Sequence, residues 1–302
     1  MRTLSICSLS LITSLTLGAC GEDEHHDHDH TPDAAETPDS APTPDAGAQA
    51  VSLAFAGEIG GRPFACGSTY FEVGSASSAW VATDFRLYLS DIELIPAGGG
   101  DGVPLTLDVG DFQNADGIAL LDFEDGSAGC EMGSTGTHTR ITGTVPYGDY
   151  DGLRFTIGLP EDKNHLDVTT AAPPLNVTPM FWGWRAGYKF LKIDGGVGGN
   201  GFNLHLGATD CPGPDPVQPP TGPCGTPNRM EIELASFDPA TDTVVIDPKP
   251  VYATTDVSFN TAATAPGCMS FPGDPECETL FPRLGLPYGA APAADQQLIS
   301  VR

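Results

Sequence analysis

Phe85-Arg-Leu-Tyr-Leu-Ser-Asp-Ile-Glu-Leu94 sets apolar side chains at alternate positions, the two-residue period of a strand with one dry and one wet face. The run extends over residues 83–95. Similar alternating or β-branched runs recur at 51–56, 118–123, 140–145, 153–157, 188–193, 202–206, 230–234 and 243–246. Gly, Pro and Asp-Gly punctuation separates them, as at 98–102, 146–148 and 195–201. No window of a dozen residues keeps a helical period free of Gly or Pro, and 37 Gly with 28 Pro exclude a helical protein. The expectation is an all-β chain, a β-sandwich with long loops, stapled by disulfides.

Outward from that body, the N-terminus reads differently. Arg2 precedes an apolar run over residues 4–17, too short for an ordinary spanning helix and typical of an export signal. It closes on Leu17-Gly18-Ala19-Cys20, which resembles a bacterial lipobox and implies a signal over 1–19 with lipid on Cys20. Gly21, rather than Asp, then points to the outer membrane, with the protein anchored in the periplasm or at the cell surface. Residues 20–50 read as a tether. From 21 onward they carry nine Asp/Glu, no Lys or Arg and repeated Pro-Asp units, too little apolar surface to offset the entropy of ordering. Within it, His25-His-Asp-His-Asp-His30 is either a weak trap for Zn, Cu or Ni or a solvated spacer, since a floppy tract imposes no geometry.

Residues 51–302 form the body, long enough for one sizeable core. The net charge of −27 disfavours nucleic acid as a partner. Most of that acidity serves solubility, and the remainder suits cations or a basic protein surface. Six cysteines follow the signal: Cys66, Cys130, Cys211, Cys224, Cys268 and Cys277. An even count in an oxidising compartment favours disulfides over thiolate ligands. Cys211 with Cys224, and Cys268 with Cys277, are the economical local pairs, although six cysteines permit fifteen pairings. There is no phosphate-binding loop, His-Glu-x-x-His, Gly-x-Ser-x-Gly or free catalytic cysteine, so no enzymatic activity is expected. The adjacent pairs Glu124-Asp125 and Glu161-Asp162 read as turn or surface residues, at most a Ca²⁺ loop.

Functional residues concentrate between Leu159 and Cys211. Two of the body's three histidines, His165 and His205, lie there with Met180, Trp182 and Trp184. Imidazole and soft sulfur are ligands that Cu(I) favours. His165 sits on a loop, with Asn164 or Asp167 as residues that could orient it. His205 alternates with Leu204 and Leu206, which places it opposite a core-facing pair. On an extended segment Trp182 and Trp184 project to one side around Gly183. The ordinary alternatives are a satisfied core histidine, a core-filling methionine and aromatics that pack. Trp80 and His138 fall outside this window.

Cys66-Gly67 with Tyr70, Asp84-Phe-Arg-Leu-Tyr-Leu-Ser90, Ala119-Leu-Leu-Asp-Phe-Glu-Asp-Gly126, Cys130, Gly143-Thr-Val-Pro146, Asn164-His165, Met180-Phe-Trp-Gly-Trp184, Gly187-Tyr-Lys-Phe190, His205-Leu-Gly207 and Cys211, in that order, resemble the MbnP-like proteins. These are copper-binding proteins of methanobactin operons and of many other bacteria. The resemblance covers about residues 51–290. It implies an exported copper-binding protein that works with a di-haem partner related to cytochrome c peroxidases, which oxidises a tryptophan to kynurenine. It further implies Cys66, Cys130, Cys211 and Cys224 as four structural cysteines, consistent with a Cys66–Cys130 pair. Taken with the resemblance, the residues point to His165, His205 and Met180 as the candidate ligands of copper, as Cu(I), with Trp182 or Trp184 the candidate for modification. The role is copper storage, delivery or sensing. A structural or adhesive surface sandwich without a metal is the competing expectation.

Overall fold

In the computed structural model, which describes residues 47–302, the alternating stretch lies within a single 19-residue strand, Ser78–Pro96. The signal, Cys20, the His25–His30 tract and most of the tether lie outside the described residues. The first strand, Ala48–Ile59, begins inside the span read from sequence as tether, because it finds a full antiparallel partner in Arg140–Pro146 from Ala48↔Pro146 onward.

Two large sheets make most of the body. Ser78–Pro96 is the spine of a ten-stranded sheet and lies between Tyr150–Ile157 and Leu191–Val197, with Leu89↔Ile157 and Leu87↔Leu191 in register. Met230–Leu234 borders Tyr150–Ile157 on one side. On the other, Asn203–Leu206 follows Leu191–Val197, and Gly267–Cys268 follows in turn. The six-stranded sheet is organised around Ala48–Ile59, flanked by Arg140–Pro146 and by a parallel Thr243–Ile246. A shared core of Leu53, Phe55, Ile141, Phe85, Leu87, Phe155 and others lies between the sheets. Phe55 of one sheet meets Phe155 of the other edge-on at 6.0 Å. Each buried Phe contributes about 1.5–3 kcal/mol.

The expected wet face of the long strand is not wet. Residues 84–90 are buried on both faces. Phe85, Leu87 and Leu89 face the inter-sheet core, while Tyr88 enters a second apolar cluster with Ile118, Leu120, Leu159, Leu175, Met180, Tyr188 and Phe190. The long segment that includes residues 159–190 thus forms an extra layer over the sheet.

The polar members of that covered face, Asp84 and Arg86, are consequently buried and paired. Arg86 Nε donates to Asp84 Oδ1 at 2.8 Å, and Arg86 Nη1 lies 3.5 Å from Glu124 Oε1. Glu124 is fully buried, not a turn or surface residue, because its carboxylate also accepts the backbone N–H groups of Gly126 and Ser134. Glu161 and Asp162 are exposed, as expected. All three disulfides form as read: Cys66–Cys130, Cys211–Cys224 and Cys268–Cys277.

Truncating Phe155 to Ala should cost about 3–5 kcal/mol in chemical denaturation, the range for large-to-small changes in a sealed core. Burial pushes the Asp122 carboxyl up to about 7, against the pull of Arg86. The folded chain therefore holds this proton through a range where the unfolded chain has released it. The stabilisation is complete below about 4 and is lost as pH rises through about 7. Asp122→Asn should flatten the stability profile between pH 5 and 8, which denaturant midpoints measured across that range will check.

Candidate metal centre

Phe181–Gly183 and Gly187–Tyr188 form a small hairpin with Phe181↔Tyr188 and Gly183↔Gly187 opposed. Gly187 has φ +70°, and a Cβ there would fall 2.4 Å from the Asn164 carbonyl oxygen, so this turn needs a glycine. Asn164 Oδ1 in turn accepts the Tyr188 N–H at 2.9 Å. The short helix Glu161–Asn164 is thereby tied to the hairpin, and His165 with it.

His165 is held from two sides. Its Nδ1 lies 3.0 Å from the Trp184 carbonyl oxygen, and its Nε2 lies 3.1 Å from Asn164 Nδ2. Cys224 Sγ is 3.4 Å from that Nε2, and Glu161 Oε1 is 3.6 Å away. Asn164 is thus the residue that orients His165. Asp167 instead accepts from Thr169. The His165 ring lines a cleft with Glu161 and the prolines Pro219, Pro220 and Pro223.

His205 lies on the other flank. It sits in Asn203–Leu206 opposite Lys192, with Leu204 and Leu206 in the inter-sheet core as alternation required. Its own face is covered too, leaving the residue 6% exposed. Nε2 lies 2.5 Å from Asp194 Oδ1, and Nδ1 is buried without a hydrogen-bond partner among the described residues. Burial holds the imidazole below its ordinary pKa, against the pull of Asp194. Burial alone would raise Asp194. The His205 hydrogen bond and the Lys192 ammonium overcome it and hold the carboxyl well below the usual range.

The Trp182 ring stands 6.1 Å from the His205 imidazole and 5.6 Å from Phe271. It covers Gly207, where a Cβ would lie 2.4 Å from Trp182 Cζ3. Beside it opens a cavity of about 490 Å³ lined by Trp182, Gly183, Arg185, Asp210, Cys211 and Phe271.

The candidate residues therefore assemble in part. Trp182 and His205 come together. Trp184 meets His165 through its backbone, while its ring packs edge-on against Phe181 at 6.3 Å, so the two indoles do not bracket one space. The bulged pairing between Phe181 and Gly183 breaks the alternation on which that expectation rested. The two imidazoles have different partners: Asn164, the Trp184 carbonyl and Cys224 for His165, and Asp194 and the Trp182 ring for His205. Met180 is fully buried in the second apolar cluster, so its thioether fills core rather than standing at the mouth of a site. Trp80 is a core residue and His138 stacks on Phe112, both outside the site. Asp194 and Phe271 are the residues that sequence reasoning missed. The signal for Asp194 was its place two residues from Lys192 in an apolar strand beside the His205 strand. Phe271 carried no signal.

Among comparisons with known proteins, a sequence model of the MbnP family matches residues 48–270. A solved structure, MbnP from Methylosinus trichosporium, superposes with a TM-score of 0.75 at 32% identity, covering 84% of this chain and 98% of that one. No curated protein matches.

Gly207→Ala places a methyl group where the Trp182 ring lies, so that ring must leave His205. Tryptophan fluorescence should shift to the red, and emission like that of the unaltered protein would contradict the packing described.

Proposed function

The chain belongs to the MbnP family, and on that footing we propose that it is an exported copper-binding protein whose metal site is built around the Trp182–His205 contact. Membership makes it a methanobactin-related, copper-associated protein. In this reading it is anchored through lipid on Cys20 at the outer membrane and stores, delivers or senses copper. Its protein partner is a di-haem enzyme of the cytochrome c peroxidase type, which converts a tryptophan to kynurenine.

One observation carries the choice of site: a buried imidazole, whose charged form burial disfavours, has a ring nitrogen with no hydrogen-bond partner among the described residues. An orphaned buried acceptor costs about 1–3 kcal/mol, which a bound metal removes. Neutral imidazole suits copper, and all six cysteines of the body are consumed in disulfides. Trp182 is the indole assigned to oxidation. It adjoins His205 and lines an open cavity, whereas the Trp184 ring turns to Phe181. Indole offers a metal no good lone pair. Kynurenine offers an aryl amine and a ketone, so the modification turns a packing residue into a donor. His165 is the second imidazole of this reading. It is held by Asn164 and the Trp184 carbonyl, two residues along the chain from Trp182.

The test uses the whole chain with His25, His26, His28 and His30 changed to alanine, co-expressed with the di-haem partner. Cu(I) is titrated against a chromophoric chelator, and peptides are mapped by mass. One equivalent of copper should bind, be lost in His205→Ala and weaken about tenfold or more in His165→Ala. The kynurenine mass should fall at position 182. A chain that holds no copper once the tract is removed would leave the structural sandwich as the better account.

A further inference from the structure

The residues that hold His205 form a pattern that the register of the sheet explains. Leu191–Val197 lies antiparallel to Ser78–Pro96 with Lys192 opposite Arg86 and Asp194 opposite Asp84. His205, one strand further, lies opposite Lys192. Residues two apart share a face, so Asp84, Arg86, Lys192, Asp194 and His205 all stand on the covered side of three adjoining strands. Their side chains join in one chain of contacts. His205 Nε2 meets Asp194 Oδ1 at 2.5 Å, and Lys192 Nζ is 2.7 Å from Asp194 Oδ2. Lys192 also reaches Asp84, and Asp84 takes the Arg86 guanidinium on both oxygens. Four of the five residues are at most 6% exposed. Such a run of alternating charges is costly to bury and hard to reorganise, because removing one member strands its neighbour.

We propose that Asp194, seated on Lys192, Asp84 and Arg86, is a positioning residue that keeps the His205 proton on Nε2 and so presents Nδ1 as the copper-binding atom. Asp194 accepts on both oxygens, one from Lys192 and one from the imidazole. An ionised carboxylate has no hydrogen to give, so the imidazole must be the donor at Nε2. The remaining lone pair is on Nδ1, the buried atom that no group among the described residues satisfies. A ligating histidine ordinarily donates its other N–H to a carboxylate or carbonyl, which sets the tautomer and the ring orientation. Here that support is in place within the chain itself. This inference rests on the copper reading for its consequence, but the tautomer is a property of the metal-free protein.

The test is Asp194→Asn, chosen because its two ends differ. Lys192 can only donate, so the amide oxygen turns to Lys192 and the amide NH₂ faces His205 Nε2. That reverses the hydrogen bond, moves the proton to Nδ1 and fills the atom the metal needs. In the metal-free protein, long-range ¹H–¹⁵N correlation spectra should show His205 as the Nε2–H tautomer, and as Nδ1–H in Asp194→Asn. Cu(I) affinity in competition with a chelator should fall about 10–100-fold. Asp194→Glu, which keeps an acceptor-only group, should retain the original tautomer and most of the affinity, and melting curves will confirm that each variant is folded. An unchanged tautomer in folded Asp194→Asn would overturn the proposal, as would a switched tautomer with copper affinity within about twofold of the parent. If the parent chain held no copper at all, the site reading would fail while the spectra still decided the tautomer.

Discussion

The covered face of the strand Ser78–Pro96 is the constraint from which the rest of the molecule follows. Asp84 and Arg86 point there, opposite Asp194 and Lys192, and none of them can be left alone once the long segment closes over the sheet. Their mutual pairing fixes the register between the central strand and Leu191–Val197, since a one-residue slip would drive these charges into the apolar core between the sheets. The same pairing carries outward to His205, so the scaffold and the candidate metal centre share one set of contacts.

Above that face, the hairpin Phe181–Tyr188 touches both candidate histidines. Trp182 packs on Gly207 and lies beside His205, whereas the Trp184 carbonyl and Asn164 hold His165 against the Cys211–Cys224 disulfide. Both imidazoles are thus anchored to one small element through different atoms. The Trp182 side chain contacts His205, and the backbone of Trp184, two residues on, contacts His165. The hairpin is therefore the part of the protein on which oxidation and metal binding would both register.

Much of this was legible in the chain. Alternation at 83–95, the punctuation by Gly and Pro and the even cysteine count led to an all-β, disulfide-stapled body, and Leu204 and Leu206 were read correctly as core. What escaped had a common physical cause. Period-two alternation reports which residues share a face but not whether a loop covers that face, so Arg86 looked solvated and Glu124 looked like a turn residue. The bulge at 181–183 breaks the alternation that would have sent both indoles to one side. Met180 could equally fill a core or bind a metal by composition, and only the packing around it decided for the core. Asn164 was visible as a partner of His165 because it is its neighbour in the chain, whereas Asp194 reaches His205 across two strands.

The decisive measurement is diffraction from crystals of the copper-loaded protein, recorded at the copper absorption edge. An anomalous peak is expected at bonding distance from His205 Nδ1, next to the side chain at position 182, with Asp194 still on Nε2. A peak bound at Nε2 with Asp194 displaced, or one remote from the 181–188 hairpin, would contradict it.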